Sequence, residues 1–194
     1  GIQLAVPMQV QSEIRGMMLF GEKITGDGFE ESEIEFISTL CSRAMISLEN
    51  ARLFQDALEK KRLEEEMNIA REIQERLLPR GFPSLEKYEI YGVNIPSRHV
   101  GGDYFDWIKL DDDHYALAIG DVSGKGVGAS LIMSNLHAGL NLLARSNADI
   151  PGMISRLNKL LHAHTNYDKF ITFFYAELNL RDRTLTYVNA GHNP

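Results

Sequence analysis

Two carboxylates, Asp103 and Asp121, have the type and spacing that could do chemistry. Asp103 follows Gly101 and Gly102 at the mouth of an expected strand, Tyr104 to Leu110, and Asp121 terminates another, Tyr115 to Gly120. Two strands and the tight turn Asp111, Asp112, Asp113 and His114 separate them, so a hairpin returns both to one edge of a sheet. Carboxylates at such an edge, with glycines removing side-chain bulk, can share hard, oxygen-seeking cations such as Mg²⁺ or Mn²⁺. Two such ions roughly 3.5 to 4 Å apart would activate water and clamp a phosphoryl group. The same spacing also suits carboxylates that merely cap turns, and spacing alone leaves both readings open.

The run Gly120, Asp121, Val122, Ser123, Gly124, Lys125, Gly126 lies between a strand and a helix, where backbone amides can cradle phosphate. It is one residue short of a P-loop, and Gly126 stands where Ser or Thr should hold the metal. Gly124, Gly126 and Ala129 imitate a dinucleotide fingerprint, but the expected sheet is antiparallel and a strand-end carboxylate repels pyrophosphate. Nucleotide binding is therefore not expected. Lys125 is either a contact for substrate phosphate or, more commonly for such a residue, a surface lysine. His162 and His164 are two apart on a helix and point to different faces, which argues against joint ligation. His99, His114 and His137 offer no partner at a telling spacing. Asp106 reads as an outer-shell neighbour, Asp111 to Asp113 as a solvated hairpin tip, and His192 as a residue that orders a turn.

The elements that must position these groups alternate in period. Tyr88 to Ile95, Tyr104 to Leu110, Tyr115 to Gly120, Phe170 to Leu178 and Leu185 to Val188 read as strands. Between the strand pairs, Val127 to Arg145 and Pro151 to Tyr167 read as helices, with Ala129, Ile132, Leu136, Leu140 and Leu143 at helical spacing in the first. Antiparallel hairpins with helices gathered together imply an α+β layer fold.

Upstream, Ile2 to Val6 and Met17 to Lys23 read as a hairpin too small to bury a core alone. The chain also stops after a strand with no closing element, so the expectation is a fragment of a longer protein. Ser32 with Glu35 makes a capping-box signature, and Ile34, Ile37, Cys41, Ala44, Leu48, Ala51 and Leu58 then form a heptad seam. The seam lapses at Gln55 and Arg62 and resumes out of phase at Leu63, Ala70 and Leu77, before Pro79 ends the helix. It reads either as a solvated linker helix or as a parallel dimeric coiled coil with an adjustable point near Leu58 to Leu63.

A net charge of −7 and a pI near 5.4 argue against nucleic acid or an anionic membrane as main partner. No apolar run approaches the roughly 20 residues of a membrane span. The single cysteine, Cys41, reads as a buried small hydrophobe and suits a reducing, cytoplasmic setting.

Val100 to Asp106, Gly120 to Gly126 and Asn189 to Pro194, in that order, resemble the successive motifs of metal-dependent protein phosphatases of the PPM superfamily. The match is to its bacterial RsbU/SpoIIE-like branch and, with the helix ending Ile73, Gln74, Glu75, Arg76, Leu77, Leu78, Pro79, covers roughly residues 66 to 194. The resemblance implies the N-terminal half of an αββα sandwich over residues 81–194, preceded by a linker helix over 51–80. Residue by residue, it implies that Asp121 bridges two Mn²⁺ or Mg²⁺ ions, that the Val122 backbone carbonyl contributes to one, and that Asp103 supports that same ion directly or through water. A hydroxide activated by the two metals would attack phosphoserine or phosphothreonine without a covalent enzyme intermediate. In the eukaryotic branch a histidine follows the Asp and Gly of this motif as proton donor. Here that place is Ser123, so the general acid is unassigned. The family's later aspartates would fall beyond Pro194, so this stretch alone is expected to be inactive or nearly so.

Residues 1–50 resemble the C-terminal half of a GAF sensor domain, through the strand Met17 to Lys23, the approach Gly28, Phe29, Glu30, and the ending Leu48, Glu49, Asn50, Ala51, Arg52, Leu53. This implies an unknown small-molecule ligand and a homodimer through the linker helix. The implied substrate is a phosphorylated anti-sigma-factor antagonist of the STAS type. A rival reading is a non-catalytic dimerisation and signal-transmission module with a degenerate phosphatase fold.

Overall fold

The computed structural model describes residues 1–10, 13–95, 99–146, 149–165 and 167–193. Asn166 of the second expected helix and Pro194 of the last motif lie outside the described residues. Two compact units divide the chain, Gly1–Glu64 and Glu65–Pro194.

In the first unit, β1 (Leu4–Val10) and β2 (Glu13–Phe20) form an antiparallel ribbon from Leu4↔Phe20 to Val10↔Glu13, with an irregularity between Met8 and Gln9. β1 runs past the expected end at Val6 because a two-stranded ribbon has a free edge, where Pro7 can lack its N–H. The helix α1 (Glu31–Leu77) follows. It begins earlier than the Ser32–Glu35 box suggests: Glu33 accepts a hydrogen bond from the Glu30 N–H at 2.8 Å and pairs with Lys23. The Lys23 hydrogen bond, then that from Glu30, holds the Glu33 carboxyl below its ordinary range. Ile37, Cys41 and Met45, one helical face, close on Val6 and Met8 of the ribbon. Cys41 is buried there, whereas Leu48, Leu58 and Leu63 stand more than half exposed.

In the second unit, β3 (Tyr104–Lys109), β4 (His114–Val122), β5 (Ile171–Asn179) and β6 (Thr184–Ala190) make one antiparallel sheet in that order. The helices α2 (Val127–Leu143) and α3 (Ile150–Ala163) sit between β4 and β5 in sequence. Asp149 caps α3 by accepting from the Gly152 N–H at 3.2 Å. Tyr104, Ala118, Val122 and Tyr175 of the sheet pack on Met133, Leu136, Leu140 and Leu157 of the helices. Leu136 and Leu140 are almost wholly buried, each stabilising the fold by about 1.5–3 kcal/mol. Leu77, at the end of α1, joins this same core, so the resumed stripe is committed at its end to the chain's own unit.

The strand expected over Tyr88 to Ile95 does not form; only an isolated bridge, Leu85↔Tyr88, is present among the described residues there. The alternation is real as burial: Ile90, Gly92 and Asn94 turn inward while Tyr91, Val93 and Ile95 stand out. Gly92 lies against the Phe82 and Phe105 rings, which stack on each other, so the segment packs by side chains rather than by a ladder. β4, by contrast, does not stop at Gly120 but carries Asp121 and Val122 into pairing with Thr172 and Ile171.

Candidate active site

Antiparallel register decides where the two carboxylates meet. Tyr104 pairs with Gly120, so Asp103, one residue outside β3, continues the register opposite Asp121, which pairs with Thr172 of β5. Successive side chains on a strand point to opposite faces. Val122 is 1% exposed in the core under the helices, so Asp121 projects from the other face. With Ile119, Phe174 and His192, Asp103 and Asp121 line a cleft of about 560 Å³.

Asp103 titrates above its ordinary range. Partial burial is the largest cause, the charge and contact of Asp121 add to it, and the nearby His192 opposes it. Two adjacent carboxylates that repel each other are a donor set that a hard divalent cation relieves, so the residues present fit Mg²⁺ or Mn²⁺. Among the described residues no group of three or more His, Cys, Asp or Glu converges as a metal cage. What the chain presents is a two-carboxylate edge.

Gly102 is held against the end of β4. A Cβ there would come within 2.7 Å of the Val122 carbonyl oxygen and 2.9 Å of the Val122 Cβ, and the Val122 N–H reaches the Gly102 carbonyl at 3.4 Å. No side chain fits at Gly102 without moving Asp103 or Val122. One residue earlier, Gly101 is gripped from α1: Gln74 Nε2 donates to its carbonyl at 2.6 Å, and Gln74 Oε1 accepts from its N–H at 3.1 Å.

Beyond Asp121 the loop is fastened to the start of β5. The Ser123 N–H donates to the Phe170 carbonyl, and Ser123 Oγ accepts from the Phe170 N–H, each at 2.9 Å. Positive φ at Gly124 and Gly126 then turns the chain into α2. Lys125 is exposed; the lysine lying against this loop is Lys169, whose Nζ is 3.1 Å from where a Gly124 Cβ would sit.

Asp106 points away from the carboxylate edge. It accepts from Tyr104 Oη at 2.8 Å, the Trp107 N–H at 2.8 Å and Asn141 Nδ2 at 3.1 Å, with His137 Nδ1 at 3.5 Å. It ties β3 to α2 rather than supporting Asp103. Burial, then the Asp106 charge, pushes the Tyr104 hydroxyl well above its ordinary range, which keeps it a donor. His137 thus has partners that spacing did not reveal, and His114 pairs with Asp111 at 2.8 Å in the hairpin tip.

A family model, Stage II sporulation protein E (SpoIIE), matches residues 111–194. That match lies wholly within the C-terminal unit. The chain is 32% identical over 132 residues to Phosphoserine phosphatase RsbU of Bacillus subtilis (strain 168), covering 68% of this chain and 39% of that protein. It is 30% identical over 158 residues to Protein IcfG of Synechocystis sp., covering 66% and 25% respectively. The chain therefore spans well under half the length of either relative. The solved SiaA-PP2C domain of Pseudomonas aeruginosa matches with a TM-score of 0.54 at 17% identity, covering 68% of this chain and 55% of that one. That likeness shows a PP2C-type fold.

Asp121 and His192 fall within the SpoIIE segment, whereas Asp103 and Gln74 lie upstream of it. Gln74 has no role among the expectations from sequence, although a lone amide on the stripe of Met67, Ala70 and Leu77 is a readable signal. His192, expected to order a turn, does more than that. Its backbone does order a turn, bonded through N–H and carbonyl to the Asn189 side chain at 2.8 and 2.9 Å, but its ring lines the cleft.

Proposed function

We propose that the full-length protein is a metal-dependent phosphatase acting on phosphoserine or phosphothreonine of a partner protein. The observation that carries this is the placement of Asp103, by continuation of the Tyr104↔Gly120 register, opposite Asp121 in one cleft of a unit that carries the SpoIIE match. Asp121 and Asp103, with the Val122 carbonyl, hold Mn²⁺ or Mg²⁺. The bound metal supplies an activated water and charge neutralisation at the phosphoryl group. Gln74 and Gly102 fix the backbone that carries Asp103, and the Ser123–Phe170 pairing fixes the loop after Asp121.

The relatives' name as phosphoserine phosphatases supports a phosphoprotein substrate, which we take to be a STAS-type anti-sigma-factor antagonist. Residues 1–50 act as the remnant of a GAF sensor for a small ligand, and residues 51–80 as a linker that dimerises as a coiled coil. The exposed Leu58 of the first stripe and Leu63 of the resumed one support that reading. Signal passes along α1 to the catalytic elements of residues 81–194, with α2 and α3 as the packing that responds.

The test is Mn²⁺-dependent phosphate release from a phosphoserine protein by the full-length protein and its Asp121→Asn variant. Release abolished by that change supports the reading. No release by either, with both folded, leaves the non-catalytic interaction module.

A further inference from the structure

The proton donor to the leaving group is unassigned by the motif; Ser123, in the expected place, has its Oγ held by accepting from the Phe170 N–H, and an alcohol is no stronger an acid than the serine or threonine hydroxyl it would have to protonate. The cleft offers another group. Thr172 sits across from Asp121 on β5, and its Oγ1 lies 2.9 Å from His192 Nδ1. Asp103, Asp121 and Thr172 thus form a row across three strands, and the His192 ring adjoins that row. Asn189 grips the His192 backbone on both sides, after a left-handed turn at Gly191. With Nδ1 engaged, Nε2 is the ring nitrogen left for the cleft, and it has no hydrogen-bond partner among the described residues.

We propose that His192 is the general acid of this site, oriented by Thr172. The inference rests on the phosphatase reading above. Water attacks phosphorus, the bond from phosphorus to the serine or threonine oxygen breaks, and its electron pair leaves on that oxygen. His192 Nε2 gives the oxygen its proton, so the products are the free hydroxyl and inorganic phosphate. The attacking water releases one proton to solvent, and solvent returns one to Nε2. Throughout, Thr172 Oγ1 accepts from Nδ1–H, which fixes Nε2 as the nitrogen that cycles. Tyr104 and Asp106 also border the cleft, but their side-chain bonds run to each other and to α2.

A general acid matters in proportion to how poor the leaving group is. The test compares the full-length protein with its His192→Gln and Thr172→Val variants on a phosphoserine peptide and on p-nitrophenyl phosphate, whose phenolate leaves without help. For His192→Gln, kcat on the peptide falls about 10²- to 10⁴-fold while p-nitrophenyl phosphate turnover falls by less than about tenfold. Thr172→Val shows the same selectivity, more weakly. The thermal shift produced by Mn²⁺ stays that of the parent in both variants. Equal losses on the two substrates, no loss on the peptide, or loss of the Mn²⁺ shift would each overturn the assignment. A parent protein inactive on both substrates would instead remove the phosphatase reading, and this assignment with it.

Discussion

The Gln74 side chain closes both backbone hydrogen bonds of Gly101, one as donor at 2.6 Å and one as acceptor at 3.1 Å. Gln74 is 8% exposed, and Gly101 lies two residues before Asp103. The end of α1 therefore holds the backbone that leads into Asp103. Gln74→Leu keeps the size but leaves a backbone donor and acceptor unmatched, at about 1–3 kcal/mol. The expected outcome is a lower melting temperature and a higher Mn²⁺ concentration for half-maximal activity. A variant with a lower melting temperature and an unchanged Mn²⁺ requirement would show the clamp to be structural only.

Gly102→Ala is expected to be far more harmful than Gly101→Ala. A Cβ at Gly102 meets the Val122 carbonyl oxygen at 2.7 Å, while at Gly101 the nearest atom is 4.0 Å away. Backbone must move to admit the first, costing about 1–3 kcal/mol and shifting Asp103 from Asp121. Chemical denaturation and Mn²⁺ titration of the two variants side by side would check it, and equal behaviour would refute the close approach.

The hairpin that joins Asp103 to Asp121 was legible because strand alternation and a tight acidic turn are local signals. The same alternation misled at Tyr88 to Ile95, where half-burial against Phe82 and Phe105 reproduces the period of a strand without a partner. Gln74–Gly101 and Thr172–His192 join residues far apart in the chain, and no local pattern announces such pairs. Asp106 shows the limit from the other side. Its place three residues after Asp103 suggested a shared site, but odd spacing on a strand turns it to the opposite face.

The Asp106 cluster gives a stability prediction separate from catalysis. Tyr104 Oη donates to a carboxylate whose side chain is 10% exposed, and bonds to charged groups contribute about 1.5–3 kcal/mol. Tyr104→Phe should lower unfolding free energy by that order while leaving the Mn²⁺ requirement unchanged. Urea unfolding of the two proteins measures the first, and Mn²⁺ titration the second.

The exposed leucines of α1 make a prediction about assembly. Leu48 and Leu58 are 62% and 51% exposed and belong to one heptad seam. Leu58→Glu places charge in the proposed dimer interface without touching the core of either unit. Sedimentation should show a dimer for the parent and monomer for the variant at the same concentration. A monomeric parent would remove the coiled coil.

Asp103→Asn separates metal binding from fold. The Asp103 carboxyl is held above its ordinary range, first by burial and then by Asp121. Between the unfolded value, about 3.9, and the raised folded value, the folded protein binds more protons. Stability from this group therefore falls as pH rises through that window, and the full penalty is present at neutral pH. A neutral amide removes it, so metal-free Asp103→Asn should melt slightly above the parent at pH 7 and match it below about pH 3.9. The gain is small because the burial of Asp103 is only partial and solvent screens the rest. Saturating Mn²⁺ reverses the order: the parent gains about 2.7 kcal/mol at a hundredfold excess over Kd, and the variant gains less. Thermal melts with and without Mn²⁺ measure both, and an Mn²⁺ shift preserved in Asp103→Asn would show that Asp103 is not a ligand.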